Sequence, residues 1–277
     1  MNSNYSTLGK RVVVSVFGIP VVLGSMVYGR IALPILSSII EIVALWELYK
    51  LAEKKGFFPI FWPSFPMILL LNADLYFRQA KDVPWILGGF FLVSLLLELF
   101  HNKPNTTANV SVTVFGAFYV SLFSFFILIR EQPQLHGFRY SVGGWMVLWV
   151  FITMWVCDTA AYFVGSSFGK NKLFLRVSPK KTWEGAVAGF VTAVFLSLVI
   201  RKFALPELQT VDAVFIGTIV GIFGQTSDLV ESLFKRDAGV KDSSSILPGH
   251  GGMLDRFDSP LLVGPIVYAY LVLSHLH

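Results

Sequence analysis

Nine apolar segments, most of them close to 20 residues long, occur along this chain of 277 residues. A helix of about 20 apolar residues crosses the roughly 30 Å hydrocarbon core of a bilayer. Inside lipid the backbone must satisfy its own hydrogen bonds, which favours helices. We therefore predict an all-α, polytopic membrane protein with about nine transmembrane helices, at residues 11–29, 31–51, 59–78, 84–100, 110–129, 144–165, 184–203, 211–230 and 259–276.

The composition argues against a soluble fold. Apolar residues make up 55% of the chain and charged residues only 14%, whereas a typical soluble domain has about 25% charged residues. A soluble chain of this size could not remove so much apolar surface from water. We expect the first segment to be retained rather than cleaved as a signal peptide, because no small-residue cleavage site follows it.

The basic residues are distributed unevenly between the two sides of the predicted membrane. The N-terminal tail and the loops after segments 2, 4, 6 and 8 contain 15 of the 22 lysines and arginines, and the other side contains 7. Cytoplasmic loops carry the excess of positive charge in membrane proteins. This topology accounts for the net charge of +5, so we expect no nucleic-acid partner.

We divide the chain into N-terminal membrane helices at 1–140 and a C-terminal membrane region at 141–277. Two loops of the second region, 166–183 and 231–258, are more polar than orientation requires. Both lie on the predicted cytoplasmic side. We therefore expect any catalytic chemistry to lie in these loops and at the helix ends beside them.

The first polar loop ends in a segment typical of a helix start. Ser178 suits the N-cap and Pro179 the first helical position. A helix start offers free N–H groups and a positive dipole end, and Lys180 and Lys181 add full charges, so the segment suits a phosphate. A capped loop whose charge only sets the membrane orientation is an equally good interpretation of this segment alone.

The second polar loop suggests a metal and nucleotide site. A helix continuing from the eighth segment would present four polar side chains on one face, at Asp228, Glu231, Ser232 and Lys235. A second acidic pair, Asp255 and Asp258, precedes the ninth segment, and the glycine-rich turn 248–252 lies between the two groups. Carboxylates suit Mg²⁺, while lysine and arginine neutralise phosphate oxygens.

Single residues of this pattern have simpler explanations. Lys235 and Arg236 alone would be a positive flank of a membrane helix, and His250 alone would be a turn residue. Asp228 and Asp255 are harder to explain structurally, because acids at a membrane boundary are costly and usually functional, and the same holds for Asp158 inside the sixth segment. Cys157 is better explained by packing.

The spacing of these residues resembles the signature of the phosphatidate cytidylyltransferases, the CDP-diacylglycerol synthases. About a dozen positions between Ser232 and Asp258 match at fixed spacing. The resemblance extends upstream through 158–165, 169–170 and 178–185, and covers residues 150–260 well. Two positions depart from the family pattern: Ala160 stands where glycine is frequent, and Ser166 stands where a basic residue is common.

The resemblance implies that CTP and phosphatidic acid react to give CDP-diacylglycerol and diphosphate. It further implies a Mg²⁺ cofactor, with a second metal ion left open, and a homodimer. The basic loops place the active site on the cytoplasmic side, and the short N-terminal tail without a transit peptide favours a bacterial inner membrane over an organellar one. Asp228 and Asp255 would bind the metal, and Lys235, Arg236 and Arg256 would complete the catalytic set. The implied substrate-binding residues are Ser178, Lys180, Lys181, Thr182, Ser232, Lys241, Asp242, His250, Asp258 and Asp158.

Three other functions remain open from the residues alone. A CTP-dependent lipid kinase would share the nucleotide and the membrane site, but would release CDP instead of diphosphate. A transporter would place its charges near the membrane midplane, whereas here they concentrate at one face. A non-enzymatic membrane scaffold would leave the clustered acids unexplained.

Overall fold

The computed structural model describes the backbone of residues 2–135 and 139–274, and the side chains of 14–131 and 139–274. The predicted segment ends at 11–13 and 275–276 lie outside these described side chains. The described residues form the helices α1 (Asn2–Tyr28), α2 (Ala32–Lys54), α3 (Phe61–Phe77), α4 (Val83–His101), α5 (Thr106–Ser121), α6 (Phe125–Leu135), α7 (Tyr140–Phe168), α8 (Trp183–Ala204), α9 (Thr210–Ile219), α10 (Gln225–Asp237) and α11 (Leu254–Ser274), and the strands β1 (Lys172–Phe174) and β2 (Ser178–Thr182).

Two of the apolar spans are composite. A 3₁₀ turn at Leu122–Ser124 joins α5 to α6, and a π turn at Val220–Gly224 joins α9 to α10. The described residues contain seven helical spans that are long and apolar enough to cross a membrane: Ala32–Lys54, Val83–His101, Thr106–Glu131, Tyr140–Phe168, Trp183–Ala204, Thr210–Asp237 and Leu254–Ser274.

The helical, multi-pass architecture is thus confirmed, but the predicted count of about nine spans is not. Two predicted segments are missing from the seven. The described side chains of α1 leave a shorter apolar helix, Val14–Tyr28. Helix α3 is only 17 residues long, whereas a spanning helix needs about 20.

The chain forms two compact units, each built from two stretches of sequence. The first unit contains Met1–Leu128 and Asp237–Phe257, and the second contains Ile129–Arg236 and Asp258–His277. The predicted division into 1–140 and 141–277 refers to groups of membrane helices, not to compact units, and it stays a prediction.

Helix α2 is central to the first unit, where it packs against α1, α3 and α5. Several polar side chains in this interior make hydrogen bonds. The Tyr49 hydroxyl donates to the Thr113 carbonyl oxygen at 2.6 Å. The Glu41 carboxylate accepts from Asn72 Nδ2 and from Ser124 Oγ, each at 2.8 Å. Such bonds matter in a membrane protein because lipid offers polar groups no partner.

In the second unit, α8 packs closely against α7 and α9. Glycines allow this approach. A Cβ added at Gly189 would lie 3.0 Å from the Cys157 carbonyl oxygen, and one at Gly217 would lie 2.7 Å from Val194 Cα. Small residues let the backbones of membrane helices come together. Cys157 is buried, which agrees with the packing role expected from the sequence.

The predicted helix start at Ser178 is wrong. Ser178–Thr182 is strand β2, which pairs antiparallel with β1 through Lys172 opposite Thr182 and Phe174 opposite Ser178. Helix α8 begins only at Trp183, and Thr182 is its N-cap, with a hydroxyl that accepts from Gly185 N at 3.2 Å. A residue before proline is restricted to extended conformations, and this favours a strand at Ser178.

Candidate active site

Three carboxylates of the second unit form a cluster that can hold a metal ion. Asp228 and Glu231 lie one helical turn apart on α10, and Asp258 lies in the first turns of α11. One oxygen of each carboxylate lies within 4.8 Å of the others. Glu231 is fully buried, whereas the two aspartates are half-buried. Clustered carboxylate oxygens are the ligands that hard cations such as Mg²⁺ prefer.

Local backbone features place Asp258 in this cluster. Phe257 has non-helical dihedrals (φ −121°, ψ 22°), so α11 is kinked immediately before Asp258. The Ser227 hydroxyl of α10 donates to the Asp258 carbonyl oxygen at 2.6 Å, and Ser259 N donates to Asp258 Oδ1 at 2.8 Å. The first bond holds α11 at Asp258 against α10, and the second fixes the orientation of the Asp258 carboxylate.

Two lysines neutralise part of the cluster's charge. Lys181 Nζ, from the end of β2, lies 2.7 Å from Asp228 Oδ2. Lys235 Nζ lies 2.5 Å from Glu231 Oε2, one helical turn away on α10. The Ser232 hydroxyl donates to Asp228 Oδ1 at 3.3 Å. The structure therefore brings together the predicted residues Lys181, Asp228, Ser232, Lys235 and Asp258.

Other predicted residues of the second unit lie around this cluster. Asp158 on α7 interacts electrostatically with Asp228 and Lys181. Arg236 Nε donates to the Val177 carbonyl oxygen at 3.3 Å, which joins α10 to the β1–β2 hairpin. Lys180 is exposed on β2.

Ser178 and Thr182, at the two ends of β2, have structural roles. Ser178 pairs with the opposite strand. Thr182 caps α8 and is almost fully buried. The predicted contact of both residues with substrate stays a prediction.

The glycine-rich turn of the first unit is closed by backbone hydrogen bonds. Leu247 N donates to the Gly251 carbonyl oxygen at 2.9 Å, and His250 N donates to the Leu247 carbonyl oxygen at 2.8 Å. Gly249 and Gly251 have φ angles of 80° and 87°. Glycine adopts such left-handed conformations without the steric cost that other residues bear, which explains the glycines in this turn.

A cavity of about 380 Å³ opens beside this turn, entirely within the first unit. This volume lies in the range of about 300–1,000 Å³ found for small-molecule sites. Arg256 Nε donates to the His250 carbonyl oxygen at 2.7 Å and so fixes one wall. The cavity contains four of the predicted site residues, and its lining comprises Lys241, Asp242, Ser244, Ser245, Leu247, Gly249, His250, Gly251 and Arg256.

Asp255 makes several hydrogen bonds within the first unit. Its Oδ2 accepts from Ser243 N and Ser243 Oγ, each at 3.0 Å, and from Gly252 N at 2.7 Å. Asp255 belongs to the first unit and Asp228 to the second. Their predicted joint binding of a metal ion stays a prediction.

Sequence reasoning gave no site role to two acids, Glu231 and Glu47. Glu231 was on the predicted polar face of α10, and its position one turn after Asp228 was the available signal. Glu47 lies on α2 in the first unit and accepts hydrogen bonds from the loop that leads to Asp255. A carboxylate inside an apolar span is itself a functional signal, and Glu47 lies inside the predicted segment 31–51, so the sequence offered this signal.

The fold and the two polar regions define a multi-pass membrane enzyme with a carboxylate and lysine site. Residues 9–274 match the cytidylyltransferase family. The chain belongs to this family and is therefore a nucleotidyltransferase.

The chain is similar to bacterial proteins named phosphatidate cytidylyltransferase. The Bacillus subtilis (strain 168) protein is 35% identical over 272 residues, which cover 95% of this chain and 97% of that protein. The Staphylococcus saprophyticus protein is 33% identical over 271 residues, which cover 95% and 98%. The Staphylococcus aureus (strain COL) protein is 31% identical over 274 residues, which cover 95% and 99%.

Proposed function

We propose that this enzyme transfers the cytidylyl group of CTP to phosphatidic acid and produces CDP-diacylglycerol and diphosphate for phospholipid synthesis. The observation that carries this proposal is the match, over almost the whole chain, to relatives named phosphatidate cytidylyltransferase. The lipid kinase and the transporter have no support in these matches. The described side chains support the chemistry of the transfer.

The reaction joins two anions. A phosphate oxygen of phosphatidic acid attacks the α-phosphorus of CTP, the bond from that phosphorus to the bridging oxygen of the β-phosphate breaks, and diphosphate leaves with the electron pair. The attacking phosphate is already ionised near neutral pH, so no strong general base is needed. Catalysis of phosphoryl-type transfers is mostly positioning and electrostatic stabilisation. The site must therefore supply positive charge.

The cluster of Asp228, Glu231 and Asp258 fits a Mg²⁺ ion, because it offers three carboxylate oxygens within 4.8 Å of one another. Bound there, Mg²⁺ would act as a Lewis acid and withdraw charge from a phosphate oxygen of a substrate. We keep Asp255 as a further predicted ligand. A second metal ion stays open.

Cationic side chains within each unit would neutralise further phosphate charge of the substrates. Lys181 and Lys235 already lie against the carboxylate cluster. Arg256 and Lys241 line the cavity of the first unit, which we assign to the phosphates of CTP. His250, at the same turn, would contribute a ring N–H. Such preorganised charges stabilise a developing anion more than water does.

We place the enzyme in a bacterial inner membrane with its site facing the cytoplasm. The excess of basic residues on the side of both polar loops supports this orientation, and the relatives described above are bacterial. CTP would then arrive from the cytoplasm, while phosphatidic acid enters sideways from the leaflet. The homodimer stays a prediction, which light scattering of the detergent-solubilised protein tests.

Product analysis tests the proposed function directly. The purified enzyme is incubated with CTP labelled at the α-phosphate, phosphatidic acid and Mg²⁺. We expect the label in CDP-diacylglycerol, with one diphosphate released per labelled lipid. Labelled CDP together with a newly phosphorylated lipid would identify a kinase instead. Movement of an unmodified substrate into proteoliposomes, without either product, would identify a transporter.

A further inference from the structure

Glu47 is a buried carboxylate inside one of the membrane spans. It lies on α2, seven residues before the end of that helix at Lys54, and its exposed fraction is 0%. A buried charge in such a place is costly unless hydrogen bonds satisfy it. Its two oxygens accept four hydrogen bonds, and all four donors belong to residues 243–254 of the same unit.

The four donors come from the two ends of one loop. At the first end, Ser244 Oγ donates to Glu47 Oε1 at 2.5 Å, and Ser243 Oγ donates to Oε2 at 3.0 Å. At the second end, Met253 N donates to Oε1 at 2.9 Å, and Leu254 N donates to Oε2 at 2.7 Å. Glu47 therefore joins the two ends of the loop that contains the glycine-rich turn.

The two backbone donors lie at the start of α11, which begins at Leu254. The first N–H groups of a helix have no partner within the helix. A capping side chain usually comes from the residue just before the helix. Here a carboxylate from a distant helix, α2, fills that role, and the negative charge also suits the positive end of the helix dipole.

The loop fits tightly around Glu47. A Cβ added at Gly252 would lie 1.9 Å from Ser243 Oγ and 2.6 Å from each oxygen of Glu47. Ser243 Oγ also lies 3.0 Å from Asp255 Oδ2. Since a hydroxyl has one proton, Ser243 donates to Glu47 or to Asp255 at any moment. Glu47 is thus linked through one side chain to a predicted metal ligand.

We propose that Glu47 is a positioning residue that holds the CTP-phosphate cavity and Asp255 in their working arrangement. This inference rests on the proposed cytidylyltransferase function. Ser244 contacts Glu47 and lines the cavity, and His250 and Arg256 lie on the loop and the helix start that Glu47 holds. Glu47 itself is buried, so it acts on the substrate only through these residues.

The variant Glu47→Gln tests this role with almost no change of volume. Both oxygens of Glu47 accept hydrogen bonds from N–H or hydroxyl donors. In the glutamine variant one of these oxygens becomes an NH₂ group, so two donors face each other there. An unmatched buried donor costs enough to shift a local equilibrium about tenfold or more. The matched control is Glu41→Gln, because Glu41 is also 0% exposed on α2 and accepts hydrogen bonds from Asn72 and Ser124, which lie outside the loop.

Two measurements are made on variants whose folding is checked by thermal melting in detergent. The first is the pair of KM values for CTP and phosphatidic acid. For Glu47→Gln we expect the KM for CTP to rise about tenfold and that for phosphatidic acid to stay within about twofold. The second is hydrogen exchange of the peptide 243–254 without substrates. We expect exchange there to be about tenfold faster in Glu47→Gln and unchanged in Glu41→Gln.

Wild-type values of the KM for CTP and of loop exchange in Glu47→Gln would overturn the proposal. Equal effects of the two variants would overturn it as well, because they would show a general loss of stability. If Glu47→Gln does not fold, Gly252→Ala takes its place. The same two measurements, the KM for CTP and the hydrogen exchange of the peptide 243–254, then decide. Formation of CDP-diacylglycerol by the wild-type enzyme is measured first, so that failure of the proposed function is recognised separately.

Discussion

Lys181 Nζ lies 2.7 Å from Asp228 Oδ2, so a base at the end of strand β2 neutralises an acid in the first turn of helix α10. Lys181 also reaches the Gln225 carbonyl oxygen at 3.4 Å. This pair provides two groups that a phosphate-transfer site needs, a carboxylate that can bind a metal ion and an ammonium group that can bind phosphate oxygens. Removal of the Lys181 charge should therefore affect turnover more than folding.

For Lys181→Met we expect kcat to fall about a hundredfold, because the variant removes a preorganised positive charge that the proposed function assigns to the reacting phosphates. The measurement is CDP-diacylglycerol formation at saturating CTP and phosphatidic acid. The control is Lys172→Met, an exposed base on the partner strand β1. We expect the control to stay within about threefold of wild type, as surface charges contribute little. Equal losses in both variants would contradict a specific role for Lys181.

The carboxylate cluster predicts a change in metal dependence. In Glu231→Gln and Asp228→Asn, the Mg²⁺ concentration for half-maximal turnover should rise by about tenfold or more, because one anionic oxygen ligand is lost. Turnover is measured across a Mg²⁺ series at constant ionic strength. The control is Asp237→Asn, an exposed acid at the end of α10 that pairs with Lys55. An unchanged Mg²⁺ requirement in the two cluster variants would argue against a metal ion at this cluster.

The corrected start of α8 gives a stability prediction. Thr182→Val keeps the shape of the side chain but removes the oxygen that accepts from Gly185 N. We expect a loss of about 1 kcal/mol in the free energy of unfolding, which is typical of a lost N-cap. Thr182→Ser keeps the oxygen and should retain most of that stability. Thermal melting in detergent compares the two variants, and melting points that agree would show that the cap contributes nothing.

Two glycines with similar φ angles separate backbone strain from crowding. Gly251 (φ 87°) and Gly56 (φ 83°) both lie in the left-handed region. A Cβ at Gly251 would lie 2.7 Å from Asp255 Oδ2, whereas one at Gly56 meets no atom within 4 Å. Alanine at either position should cost about 1 kcal/mol of stability. Only Gly251→Ala should also reduce turnover, by about tenfold, because it displaces Asp255. Similar turnover in both variants would show that the close approach of Gly251 to Asp255 does not affect catalysis.

Much of the architecture could be predicted because it follows from local rules. Apolar runs of membrane length predicted the spanning helices, and the spacing of Asp228, Glu231 and Lys235 predicted one face of α10. The glycines at 249 and 251 likewise indicated the turn. Each of these features depends on residues that are near one another in sequence.

The features that could not be predicted depend on distant partners. The strand at Ser178–Thr182 needs its pairing with Lys172–Phe174, whereas the local sequence of Ser178 and Pro179 fits a helix start equally well. The role of Glu47 needs donors about 200 residues further along the chain, and no spacing rule connects them. The count of about nine spans is not confirmed in the described residues, because apolarity alone does not fix helix length, and α3 has only 17 residues.

The π turn at Val220–Gly224 sets the direction in which the side chains of the following helix, α10, point. A π turn is usually one residue inserted into an α-helix, and such an insertion rotates everything after it by roughly 100° about the helix axis. The acids of α10 begin only four residues later, at Asp228. Deletion of one residue here would keep every acid and base in the chain, yet turn Asp228 and Glu231 away from Lys181 and Asp258.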